Sequence, residues 1–263
     1  MEQQADKTTS TKKDKKHLLT RFTEIIVSFA AFSIAIGELD ATAQAVNHYY
    51  EKFVSEFTDT YDYEKLDKIH VGNTQFYLET LFGKPMVAKD LEVADKTYNV
   101  YYYFTEKYLL TVFFIKHRIT AYTVLNFKSD FYPIVNTIEN KNLGKFTFTD
   151  LQGLIDYTLD ASAAITSFIQ VHDYGRQGFF RKYYYGYVGY AARTSKNADD
   201  LTLISEAANL EVMGDESFEN KFIQLQQNFH PNMYGEGEIN LNMIRKSLLS
   251  EFEFKSYFFR EKT

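Results

Sequence analysis

The sequence predicts an α+β chain, with an N-terminal membrane helix followed by a soluble domain rich in antiparallel sheet and flanked by helices. Three observations predict it. One uninterrupted apolar block, residues 25–37 (IIVSFAAFSIAIG), stands behind a basic run. Aromatic residues make up 17% of the chain, with 21 Tyr, 24 Phe and only 3 Pro, a composition suited to pleated surfaces. Several β-rich runs are separated by gaps of two or three residues, the spacing of hairpins.

Residues 1–16 are polar and carry both charge signs, so they read as a disordered basic tail, with lysines attracted to anionic lipid. Residues 17–57 read as membrane helix and stalk. The block itself rises only about 20 Å as a helix, short of a ~30 Å hydrocarbon core, but Leu18, Leu19 and Phe22 extend it in front and Leu39 to Val46 behind. Lys12, Lys13, Lys15, Lys16 and Arg21 place the N-terminal flank in the cytoplasm, giving a membrane location. Two other readings stay open. Ala41-Thr42-Ala43 fits the cleavage site of a signal peptide, and the segment also fits an amphipathic helix docked on the domain or lying in the interface. In the spanning reading Ile25, Phe29, Phe32, Ser33, Ile36, Glu38 and Asp40 are the candidate membrane and pore residues. Polar groups at that depth face other helices or water, which favours a homo-oligomer. The stripe Val46, Tyr49, Tyr50, Phe53 and Phe57 continues the helix, as a stalk or as a core-packing face.

Residues 58–68 are mostly charged or hydroxylic and read as a connector. Residues 69–85 (IHVGNTQFYLETLFGKP) then give a complete helix signature: Asn73 or Thr74 as N-cap, Gly83 as a left-handed C-terminal position, and Pro85 as a stop. Three strands are predicted at 99–105, 108–115 and 119–127, with turns at Glu106-Lys107 and Lys116-His117-Arg118. A helix ending in Leu-Phe-Gly-Lys-Pro, preceded by Val-Gly-Asn-Thr and followed by this meander, resembles the small α/β module of the BamE/SmpA family over residues 69–127. The resemblance implies an interaction module of the bacterial envelope with a partner protein, and no activity. The chain lacks the acylated cysteine of such lipoproteins, having no Cys at all.

Residues 131–263 form a second α+β region packed with the first. Residues 143–148 read as a turn into a short strand, 151–169 as a helix or a strand pair, 217–229 as a helix stopped by His230-Pro231, and 241–254 as one further helical element. Between them lies HDYGRQGFFRKYYYGYVGYAARTSK, residues 172–196. Arg176, Arg181, Lys182, Arg193 and Lys196 there lie among tyrosines that include Tyr183, Tyr185 and Tyr187. Cations neutralise phosphates and tyrosine faces stack on bases, so this is the candidate site for a nucleotide or single-stranded oligonucleotide. The competing expectation is a strand with one buried tyrosine face and solvated Arg and Lys on the other.

Zero Cys excludes disulfides, thiolate metal sites and cysteine nucleophiles, and a net charge of −6 excludes global attraction to nucleic acid. No phosphate-binding glycine loop, zinc pair or nucleophile elbow is present. His172 beside Asp173 is the nearest thing to an acid/base pair, and neighbours of this kind arise by chance in a chain so rich in charge. No catalytic residue, metal or cofactor is therefore expected. The general plan resembles small membrane effectors of bacterial phage defence, the Hailong-type channel effectors in particular. That resemblance implies an oligomeric ion channel controlled by a nucleotide or oligonucleotide bound to the soluble domain; the alternative is a membrane-tethered cell-envelope interaction module.

Overall fold

The computed structural model describes residues 59–93, 96–135, 141–191 and 198–259. The candidate membrane residues 25–40, Arg193 and Lys196 lie outside them. The chain divides into two compact units, 1–64 and 65–263. Of the first, residues 59–64 are described, and they enter helix α1 (Thr60–Asp67). The expected connector is thus helical: Asp62 in its first turn and Lys65 in its last complement the helix dipole, which a reading by polarity alone overlooks.

The second unit is built on one eight-stranded antiparallel sheet: β1 (Val87–Val93), β2 (Lys96–Phe104), β3 (Tyr108–Ile115), β4 (Arg118–Asn126), β5 (Leu154–Ala161), β6 (Thr166–Asp173), β7 (Lys182–Val188) and β8 (Met233–Gly237). Its order is β1-β2-β3-β4-β8-β7-β6-β5. The meander β2–β4 follows the expected runs within a few residues, while β1 was not expected. In β1 exposed Ala88, Asp90 and Glu92 alternate with half-buried Val87, Lys89 and Leu91, as suits an edge. The β3–β4 turn is a two-residue loop with Lys116 and His117 at φ 50° and 62°, the primed geometry that matches strand twist. Residues 151–169 are a strand pair rather than a helix. Residues 143–148 differ from expectation: no strand forms there, and a short 3-10 turn (Phe148–Asp150) follows, capped reciprocally by Thr147 and Asp150.

Strand β8 joins the first four strands to the last three. Its five residues, MYGEG, are all buried, and they pair with β4 on one side and β7 on the other. Gly235 makes that approach possible, because a Cβ there would stand 2.2 Å from the Tyr122 carbonyl oxygen. Residues 69–127 and 131–263 therefore share a single sheet.

Both faces are covered. Leu109, Phe113, Tyr184, Val188 and Met233 share one core with Leu241 and Ile244 of helix α5 (Leu241–Ser247) and Phe254 of α6 (Glu251–Phe258). Tyr102 Oη donates to the Ser247 carbonyl at 2.8 Å. The element expected at 241–254 is two helices, because Ser250 starts a new one with a Glu253 capping box. On the opposite face Phe82 of helix α2 (Gln75–Phe82) meets Tyr103, Phe131 stacks on Tyr108, and Phe146 meets Tyr185. Phe222 of α4 (Phe218–Asn228) packs on Tyr157 and Phe168, beside α3 (Ala198–Met213). Thr74 caps α2 through the Tyr77 N–H, and Gly83 closes it at φ 76°, as the signature implied.

Among the described residues no helix is long and apolar enough to cross a membrane.

Candidate functional site

Strand β7 is central, so its tyrosines cannot be divided into a buried and a solvent face. Successive side chains alternate, yet Tyr183, Tyr184, Tyr185 and Tyr187 are all buried because each face of the sheet has its own cover. Tyr184 Oη donates to the Ile239 carbonyl at 2.5 Å and accepts the Ile239 N–H at 3.2 Å. Tyr187 meets Phe229 edge-on at 4.5 Å, and Tyr174 Oη lies 3.5 Å from Tyr185 Oη. Rings so placed are core, and offer no face to a base. The expected basic residues separate in the same way. Arg176 is exposed, while Lys182 is half-buried where β7 begins, opposite Asp173 and Gly237.

Arg181 pairs with Glu236 on β8, its Nη1 donating to Oε1 at 3.2 Å. Glu236 also accepts the backbone N–H of Val71. Burial raises this carboxyl above its ordinary pKa, and the nearby Arg181 and His70 offset only part of that. Tyr122 and Tyr183 are raised by the same burial, with Glu236 adding to it. A single carboxylate thus ties the loop between α1 and α2 to the loop between β6 and β7. Sequence reasoning missed it, because a Glu between two glycines carries no periodic signal.

His172 and Asp173 occupy opposite faces of β6, which removes the geometry of an acid/base pair. The imidazole is buried, its Nδ1 2.7 Å from the Gln152 carbonyl and its Nε2 3.0 Å from the Gln170 amide. Burial lowers its pKa, so Nδ1–H is the donor and Nε2 an acceptor. An amide nitrogen must then face Nε2, and turning the Gln170 amide over supplies it, giving a partner to a nitrogen that otherwise has none. Asp173 instead accepts the Gly175 N–H at 2.7 Å and shapes the loop.

That loop, residues 174–181, turns on two consecutive phenylalanines. Phe179 and Phe180 both take positive φ, 54° and 58°, and are 78% and 75% exposed. At the far end of the sheet a cleft of about 310 Å³ opens between the chain leaving β4 and the chain entering β8. Phe127, Tyr132, Tyr187 and Phe229 give it aromatic walls, and Lys128 and His230 stand at it as bases. Asn126 and Asn232 hold the walls: Asn126 Nδ2 donates to the Phe131 carbonyl at 2.6 Å, and Asn232 bonds both the N–H and the carbonyl of Val188. Of the sequence-predicted ligand residues that are described, Tyr187 alone lines this cleft. Among the described residues no group of His, Asp and Glu is placed to hold a metal ion.

No family model matches the chain, and no curated protein matches it. The BamE/SmpA and Hailong resemblances accordingly rest on the residues given above. Among solved structures, a Streptococcus mutans protein provisionally named a beta-lactamase inhibitor is similar at 13% identity, covering 47% of this chain and 86% of its own, with a TM-score of 0.23. A superposition of that quality carries no inference about activity.

Proposed function

We propose that this chain is a membrane-anchored bacterial effector, an oligomeric ion channel in phage defence, whose folded domain binds a nucleotide or short oligonucleotide and thereby biases the membrane segment. The cleft beside β4 and β8 supports this reading. Its size falls at the lower end of small-molecule sites, and the Phe127 and Tyr132 rings beside the cationic Lys128 suit a base joined to a phosphate. With the tyrosines of β7 in the core, this cleft is the ligand site of the present reading. Lys128 is the group to neutralise phosphate, and Tyr132 or Phe127 the ring to lie against a base. Such a ligand controls opening only through unequal affinity for the two states.

Titration calorimetry of the full chain in detergent with mononucleotides and short oligonucleotides tests the reading. Binding that Lys128→Glu abolishes supports it. Absence of binding by the unaltered chain removes ligand control, and cells that keep their membrane potential when the chain is expressed with its ligand remove the channel.

The interaction-module alternative is favoured by one observation: β5 is an edge strand with Leu154 and Ile155 exposed, and among the described residues no strand pairs with its outer side, where an extended partner segment can add.

A further inference from the structure

We infer that the sheet end opposite the cleft is a second membrane-contact surface, which seats on an anionic bilayer with Phe179 and Phe180 entering its interface. The left-handed region disfavours bulky side chains, so two consecutive phenylalanines there are held by their surroundings. Three backbone bonds hold them: Phe180 N–H to the Gly175 carbonyl at 2.8 Å, Phe179 N–H to Arg176 at 3.2 Å, and Arg181 N–H to Gly178 at 3.0 Å. The result of that constraint is two rings kept in water. An exposed apolar feature built at the expense of backbone comfort marks a contact surface.

The same end supplies a third ring and the charge. Phe76, in the first turn of α2, is 77% exposed, and the Thr74↔Arg118 bridge fixes that turn beside the β3–β4 hairpin. Strand β8 lies between this hairpin and the β6–β7 loop, and the midpoints of the two turns are about 14 Å apart at the usual strand spacing. Lys116 and Arg118 are exposed at one hairpin, and Arg176 and Lys182 flank the phenylalanines at the other. Most carboxylates here are engaged: Asp173 with Gly175, Glu236 with Arg181 and Val71, Glu79 with Gln75. Asp173 and Glu238 are the exposed acids among these, against the four basic side chains just named. A locally basic, phenylalanine-tipped end on a chain of net charge −6 matches a surface that is negative outside and apolar beneath. Glu236 anchors both loops, so it acts as a positioning residue for the contact.

The chain has no Trp, so a single substitution gives an unambiguous reporter. Phe179→Trp in the full chain, mixed with phosphatidylglycerol-containing vesicles, is expected to shift its emission to the blue and to be quenched by brominated acyl chains. Phe252→Trp, at a site 80% exposed on α6, is expected to show neither change. Adding Arg176→Glu and Lys182→Glu to the Phe179→Trp chain should reduce the shift severalfold on anionic vesicles. Red, unquenched emission from position 179 in vesicle-bound chain overturns the proposal, as does failure of the chain to bind vesicles. Equal quenching at positions 179 and 252, or a blue shift without lipid that reports a protein contact, overturns it too.

Discussion

Replacing Glu236 separates the charge of this residue from its hydrogen bonds. Glu236→Gln keeps an oxygen for the Val71 N–H and for Arg181 but removes the ionised form that burial disfavours. Its pKa is raised in the fold, so the sign follows directly. Well below the ordinary glutamate value of about 4.3 the carboxyl is neutral in both states and its folded environment contributes fully. As pH rises through the elevated folded value, that contribution is lost. The unfolding free energy of Glu236→Gln relative to the unaltered protein should therefore increase from acid toward neutral pH. Glu236→Ala behaves differently, because it leaves Val71 N–H and Arg181 without their partner. Breaking a buried pair costs about 3–5 kcal/mol, and since the Arg181 side chain keeps 29% of its exposure and regains water, about 2–3 kcal/mol is expected here. Urea unfolding of both variants at a series of pH values measures this. A Glu236→Gln effect that is flat with pH, or that becomes more destabilising toward neutrality, would refute the argument from burial.

Two further substitutions probe the sheet. Gly235→Ala places a Cβ against the Tyr122 carbonyl and the Thr123 side chain, and since the backbone cannot yield without parting β4 from β8, loss of more than about 4 kcal/mol or failure to fold is expected by circular dichroism. The pKa of His172 is lowered by burial, so its contribution is present above the ordinary value of about 6.5 and is lost as pH falls through the folded value. His172→Gln should remove that part of the acid sensitivity, and an unchanged pH profile in thermal unfolding would count against it.

Much of the meander was legible because β3 and β4 are nearly continuous apolar runs with short polar turns, and the α2 signature held down to its Thr74 and Gly83 ends. What stayed hidden had weak local signals. β8 is five residues long with two glycines, and only its neighbours on both sides make it a strand. The burial of Tyr183, Tyr185 and Tyr187 follows from the central place of β7, which sequence order cannot reveal when strands 4 and 7 are joined by strand 8. The aromatic and basic letters of residues 172–196 were read as one site. The fold instead sorts them into core rings, an ion pair at Arg181 and an exposed Phe179–Phe180 tip, because hydrogen-bonded loop geometry decides exposure where composition does not. The cleft escaped notice for a similar reason: its walls come from residues about a hundred positions apart.

The central claim is residence on the bacterial inner membrane, and washing membranes tests it most directly. Membranes from bacteria expressing the full chain, stripped with high salt and then alkaline carbonate, should retain the protein and release it, uncleaved at its N-terminus, only into detergent. Recovery of the intact chain in the wash, or of a chain beginning near Gln44, would contradict the account.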